Sequence, residues 1–440
     1  MANEKELALL KEFAPQIEHT NLIQAVWMFF LAAVVGLGFY ALYVQIAEGH
    51  EVTGMRDNVV WGIYIVNFIF FMGVSYAGAL ISGTLHLFRA EWRKPINRIA
   101  EYITIIALLI GPCYILLCIG RLDRLQYLVL YGRIQSPITW DVIAISTDLF
   151  GCFIFLYLAV LRDIAAIRDF QAIRIPKWKR KLYTWLALGY TGTTEQRERL
   201  HRATDVMAAM VIAIAVIVYS VLAWIFSVTL QPGWHSTIFG PYFVIAAVFS
   251  GCGVMIVVMW LFRKLYHLEK YITRKHFVNV GVLMLILAAL FGYFTFSDYL
   301  TKWYGSERND ELLISLLFDE YYWLFILSNY VGVLLPMVVV GIKRLRTINN
   351  ITISAVIVVL ALWVNRYLIV VPTLESPYLP IQDSRPEWLF YSSTWVEWAL
   401  TAAGIAFFAL AFTIASKFIP IINVSEMADS STLEDEEILT

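Results

Sequence analysis

Asp141 and Asp148 stand seven residues apart in an otherwise apolar stretch, SPITWDVIAISTDLFGCFIFLYL. On an α-helix that spacing puts both carboxyls on one face, about 10 Å apart along the axis. Just beyond the end of the preceding apolar stretch come Arg121, Asp123 and Arg124, and Trp61 and Trp140 fall at the same end of their own stretches. An ionisable side chain near the centre of a membrane helix costs about 2.5–3.5 kcal/mol on insertion scales, so something must offset it. An apolar slot walled by tryptophan, with an arginine and a carboxylate, could hold a quinone head group and take its protons. The competing reading is a helix-end salt bridge between Arg121 or Arg124 and Asp141, with Trp61 and Trp140 as interface anchors. Asp148, deeper along the same face, is expected to carry a proton or donate a hydrogen bond; the rival is a structural carboxyl bonded to a neighbouring helix.

The elements that must position these residues are membrane helices. Apolar runs of about 20 residues or more, the length that crosses a bilayer, occur at about 22–46, 59–88, 97–119, 139–162, 203–227, 240–265, 276–298, 313–341, 351–371 and 394–419. Composition agrees, with 60% hydrophobic and 15% charged residues and a mean hydropathy of +0.69. The fold class expected is all-α: a polytopic membrane protein of about ten transmembrane helices. Alternate connections are basic: Arg89, Arg93, Lys94 and Arg98; the run from Arg162 to Arg202; Arg263 to Lys275; and Lys343, Arg344 and Arg346. The other connections are poor in Lys and Arg. By the positive-inside rule the basic loops and both termini face the cytoplasm, which an even number of spans also requires. The opening residues MANEKELALLKEFAPQIEH are charged and amphipathic, so no cleavable signal peptide is expected.

With this topology a second polar set, Asp319, Glu320, Arg366 and Glu397, falls in the outer third of spans eight to ten, where Arg366 pairs most naturally with one of the acids. A third set, His86, Glu101 and Asp205, sits at the inner ends of spans two, three and five. It could feed protons inward, or could be solvated interfacial groups.

Absences narrow the chemistry. Only His86 lies well within a span, so intrinsic haem is not expected. Cys113, Cys118, Cys152 and Cys252 lack CxxC spacing, which argues for packing rather than an Fe–S or zinc site. No P-loop or HExxH motif is present. The net charge of −1 gives no sign of nucleic acid as a partner. Four parts are read along the chain: 1–58, an amphipathic segment and first helix; 59–227, a front four-helix bundle with the long loop 163–202, whose Trp178, Tyr183 and Trp185 suit the interface; 240–371, a back four-helix bundle; and 372–440, an outer loop, last helix and acidic tail. The pair GVSYAGALISGTLHLFR and FSGCGVMIVVMWLFR is a faint internal echo between the bundles. Pro372, Pro377, Pro380 and Pro386, with Tyr378, Trp388 and Phe390, stiffen the loop 372–393 into a docking surface or a plug. The tail 425–440 is expected to be a solvated disordered end.

The stretches VVWGIYIVNFIFFMGVSYAGALISG, AEWRKPINRIAE, IGRLDR, SPITWDVIAIST and RDIAAIRD resemble, in order, the NrfD family of quinone-interacting membrane subunits of polysulfide-reductase type. PGWHSTIFGPYF and NRYLIVVP resemble its ten-helix members in alternative complex III, a quinol-oxidising respiratory complex. The resemblance implies two four-helix bundles with one flanking helix at each end, in the bacterial cytoplasmic membrane. It implies no covalent or metal cofactor of the chain's own, and quinone or menaquinone as substrate of a respiratory electron-transport complex. Haem and Fe–S would reside in partners: a ferredoxin-like iron–sulfur subunit, fused to or paired with a molybdopterin-enzyme-like subunit, multihaem cytochrome c, and a second NrfD-like subunit. It places the quinone at Trp61, Arg121, Trp140 and Asp141, with Cys118 and Asp123 beside them. The proton path would draw on His86, Glu101, Asp148, Asp205, Asp319, Glu320, Arg366 and Glu397. Cys118 stands where many relatives carry His or Asp, Tyr76 where His is common, and Tyr219 and Ile225 where a His-and-Asp pair is common. Those departures support a rival class of function, a catalytically silent membrane anchor, and the two-bundle layout supports another, a secondary transporter.

Overall fold

In hydrocarbon every backbone amide must be satisfied within its own segment, and the chain does this with helices alone. The computed structural model describes residues 4–170, 175–229, 231–376 and 390–428, and no strand occurs among them. Ten helices are long and apolar enough to cross a membrane: α1 (Leu22–Glu48), α2 (Gly62–Leu87), α3 (Asn97–Cys118), α4 (Pro137–Asp169), α5 (Thr194–Ser227), α6 (Phe239–Leu265), α7 (Arg274–Gly305), α8 (Tyr322–Gly341), α9 (Ile348–Glu375) and α10 (Trp395–Ala415). Their starts carry local signals. Pro137 occupies the first turn of α4, and Thr193 and Thr347 accept from the amides of Gln196 and Asn350 to cap α5 and α9.

Helices α2, α3, α4 and α5 close one ring, and α6, α7, α8 and α9 close a second. The rings meet where α2 packs on α6, while α1 and α10 pair with each other and α10 lies against α2 and α3; Gln45 ties α1 to them, accepting from the Tyr64 hydroxyl and donating to the Leu117 carbonyl. Small residues permit the close approach: a Cβ on Gly251 of α6 would lie 1.9 Å from the Cβ of Ala77 on α2. Exposed Phe29, Phe39 and Ile46 give α1 a lipid-compatible outer face. We call the end that holds Glu4 and Ala428 proximal and the opposite end distal.

One span differs from expectation. The run 313–341 is broken: Arg308–Asp319 forms a separate helix, α8 starts at Tyr322, and a π-turn occupies Leu327–Val331. At the proximal end the helix Glu4–Glu18 buries Leu10, Phe13 and Ile17. Lys417 fastens its end, donating to the carbonyls of Gln16 (3.1 Å) and His19 (2.8 Å) and to Gln24 Oε1 (2.8 Å). The start of the acidic tail is not solvated, because Ser425 is buried and donates to Asp163 and Glu6. Residues 429–440 lie outside the described residues. So do 377–389 of the proline-rich loop, with Pro377, Tyr378, Pro380, Pro386 and Trp388, whereas Pro372 is inside α9 and Phe390 is exposed.

Candidate functional site

A cavity of about 390 Å³ opens at the distal end of the first ring, between the ends of α2, α3, α4 and α5. Its wall is largely apolar, from Ile65, Phe68, Ile115, Leu222 and Phe226, with Trp61, Cys118, Arg121, Arg124 and Asp141 as the polar or aromatic members. The size falls within the ~300–1,000 Å³ of small-molecule sites. Trp61 is presented by the turn that opens α2. Gly62 there has φ +49°, and a Cβ on it would lie 2.6 Å from the Tyr391 hydroxyl. That hydroxyl accepts from the Ile63 amide (2.9 Å) and donates to Glu397 (2.6 Å). Burial, then the Glu397 carboxylate, pushes the Tyr391 phenol up, so it remains a donor. The Trp61 ring stacks on Trp234 with 6.0 Å between centroids and 7° between planes, and Phe226 meets Trp61 edge-on at 6.1 Å. Trp234 is held in turn by its indole N–H on the Ile369 carbonyl, 2.7 Å away.

Arg121 does not bridge to Asp141. It grips Asp123 through two hydrogen bonds of 3.1 Å, with side chains 64% and 61% exposed, so the pair sits at the mouth in water. The Arg121 hydrogen bond holds the Asp123 carboxyl below its usual value. Cys118 directs its thiol at the Trp61 carbonyl at 3.8 Å. The Trp140 indole donates to the Ile134 carbonyl, and Trp140 is not among the residues lining the cavity. Asp141 lines the wall, and its Oδ1 is buried without a hydrogen-bond partner.

One helical stretch deeper, Asp148 is fully buried. Its Oδ1 accepts from the Cys152 thiol at 3.3 Å and its Oδ2 has no partner. The Tyr76 hydroxyl, also buried without a partner, lies within electrostatic reach of Asp148 and Asp141. Tyr76 packs edge-on against Tyr219 at 4.9 Å, so two positions that depart from the family pattern face each other. At the proximal end His86 Nε2 and Asp205 Oδ1 are 2.8 Å apart. Glu101 instead joins a buried cluster: Arg98 lies 3.3 Å from it and 2.9 Å from Asp163, and Asn97 donates to it at 2.8 Å.

The second polar set does not assemble. Asp319 and Glu320 end the short helix before α8 and are exposed, because the break in span eight puts them outside it. The expected pair of Arg366 with an acid is absent: Arg366 makes no ion pair among the described residues, its two terminal nitrogens are buried without partners, and its guanidinium lies 4.7 Å over the Phe243 ring. Glu397 caps α10, accepting from the amides of Gly54 (2.7 Å) and Thr394 (2.9 Å). Trp234, Arg98, Asp163 and His201 were not picked out as site residues from the sequence. Trp234 lies in the PGWHSTIFGPYF stretch that carries the resemblance, and Arg98 and Asp163 are charges at the margins of apolar runs.

The polysulphide reductase NrfD family model matches residues 51–376. The chain therefore belongs to that family of multi-pass integral membrane proteins. It is similar to a selenate reductase subunit of Mesobacillus selenatarsenatis, 21% identical over 89% of this chain and 93% of that protein. It is also similar to the "Hdr-like menaquinol oxidoreductase integral membrane subunit" of Archaeoglobus fulgidus, 24% identical over 89% and 92%. A third relative is the "Menaquinone reductase, integral membrane subunit" of Nitratidesulfovibrio vulgaris, 22% identical over 90% and 91%.

Proposed function

We propose that the chain is the integral membrane subunit of a quinone-linked oxidoreductase and that its distal cavity takes the quinone head group, menaquinone being the class named for two relatives. The observation that carries this is the buried, partnerless Asp141 Oδ1 in an otherwise apolar wall beside the stacked Trp61. A buried acceptor without a partner is costly, and a quinol hydroxyl would satisfy it while passing it a proton. Trp61 supplies a flat apolar face. Arg121 and Arg124 at the mouth favour the anionic forms of the ring, with Asp123 orienting Arg121. Cys118 and Trp140 fix the backbone of the rim.

From Asp141 the proton path runs through Asp148 and Tyr76 towards His86 and Asp205, with Glu101 at its proximal margin. The first ring, within 59–227, is the quinone-handling unit, and the second, within 240–371, is its support. By the charge bias of the loops the proximal end is cytoplasmic, in a bacterial inner membrane, and the cavity opens on the other side. There an iron–sulfur partner subunit takes or gives the electrons, alone or with molybdopterin-enzyme-like, multihaem cytochrome c and second NrfD-like subunits.

The test is the affinity of the intact complex for a fluorescent quinone-site inhibitor. Arg121→Ala and Asp141→Asn should weaken it about tenfold or more while the complex still assembles, the loss of about one hydrogen bond to a charged group. Unchanged affinity in both would leave the chain an anchor for redox subunits, the reading that Cys118 and Tyr76 favour.

A further inference from the structure

The proximal end of the first ring holds a second group of chemically able side chains. His201 and Asp205 are four residues apart in the proximal part of α5 and so share a face, and His86 arrives from the last turn of α2. His86 Nε2 is 2.8 Å and His201 Nδ1 is 3.4 Å from the same oxygen, Asp205 Oδ1. The three groups offer ligand atoms that all lie within 4.8 Å of one another. His86 and His201 border a cavity of about 380 Å³. The cysteine spacing that argued against a resident metal carries no information here, because this cluster arises from tertiary contact between two helices.

We propose that His86, His201 and Asp205 bind a divalent transition-metal ion of the zinc class. Two imidazoles and a carboxylate are a ligand set that zinc accepts, with a fourth position left for water. Bond lengths of about 2.0–2.2 Å in a tetrahedron require ligand atoms roughly 3.3–3.5 Å apart. The His201–Asp205 separation already meets this. The His86–Asp205 separation opens by about half an ångström when the metal replaces the proton those two atoms share. His86 is buried, which fixes one ligand, while His201 and Asp205 are 67% and 43% exposed, which lets an ion enter from water. The cavity leaves room for the fourth ligand. Arg93 and Lys94 border it, but each is already paired, with Glu426 at 2.9 Å and with Glu91. Arg162 and Arg197 border the cavity as well, and the positive charge around the site weakens its hold on a cation. Once bound, the ion ties α2 to α5. The site shares His86 and Asp205 with the proposed proton path, so a bound ion would close the proximal end of that path, but its test does not depend on what occupies the distal cavity.

The test is equilibrium dialysis of the purified complex against Zn²⁺, with metal counted per chain. The wild-type complex should hold one zinc ion per chain more than His201→Ala or Asp205→Asn. Affinity at that site should fall by more than about 100-fold in either variant, since even partners beyond the ligands are worth about 10–100-fold. The exposed His201 can be removed without disturbing the fold. Glu198→Gln, a change to an acid on the same cavity that is not a ligand, should leave the count unchanged. Equal zinc uptake by the wild type and His201→Ala, or an equal loss in Glu198→Gln, overturns the proposal.

Discussion

At the residue scale the chemistry rests on where single polar atoms are left. Asp148 has one oxygen on the Cys152 thiol and the other without a partner, beside the equally unpartnered Tyr76 hydroxyl. Asp148→Asn keeps the shape and removes the exchangeable proton. Proton-coupled quinone turnover should therefore fall by about 10²-fold or more, the usual size of a lost acid–base group, with assembly unchanged; turnover and proton uptake at wild-type rates would assign Asp148 to packing. Cys118→His should assemble normally, because Cys118 lies on the cavity wall and only half-buried; its turnover shows what the thiol contributes. The Asp141–Asp148 relation was legible in the sequence because a seven-residue step within one helix is local. The fate of Arg121 was not. The short 3₁₀ turn Leu122–Arg124 keeps its guanidinium on Asp123, and no helical spacing reports that.

At the element scale the distal site depends on one latch. Tyr391 and Glu397, which precede and open α10, hold the turn that opens α2, and the α2 turn presents Trp61. Gly62→Ala meets both a positive φ and the Tyr391 ring, so it should cost ~1–3 kcal/mol and lower thermal stability and inhibitor affinity together. The Tyr391 phenol is raised in the fold, so the latch is complete below the unfolded phenol pKa of about 10 and is lost only as pH rises through the higher folded value. Inhibitor affinity should accordingly show no latch-dependent change between about pH 6 and pH 9, while Tyr391→Phe should weaken it throughout that range. In the proximal cluster, Arg98 lies buried between Glu101 and Asp163. Arg98→Ala would strand two buried acids at a cost of ~3–5 kcal/mol, read as loss of chain from the membrane. Span positions were legible at this scale because hydropathy follows length. The break before α8 was not, since LLISLLF, residues 312–318 of the separate helix, continues the apolar pattern of the span it precedes, and with it went the expected acid partner for Arg366.

At the scale of the whole molecule, eight of the ten spanning helices form two rings joined through α2 and α6, α1 and α10 flank them, and the two polar clusters border cavities of the first ring. The ten helices followed from hydropathy and the two bundles from the family resemblance, whereas the sequence reading had spread its proton-path residues over both. What did not follow were pairings between distant parts of the chain, such as Trp61 with Trp234 or Ser425 with Asp163. The central claim is that the distal cavity of the first ring holds the quinone head group. Its most direct test is photo-crosslinking of the intact complex in its membrane with a light-activated menaquinone analogue, followed by mapping of the labelled peptides. The account predicts label on the segments that carry Trp61, Cys118 and Asp141, competed away by unmodified menaquinone and lost in Asp141→Asn. Label confined to the lipid-facing groove between Phe71 and Phe412, or no competable label on this chain, would contradict it.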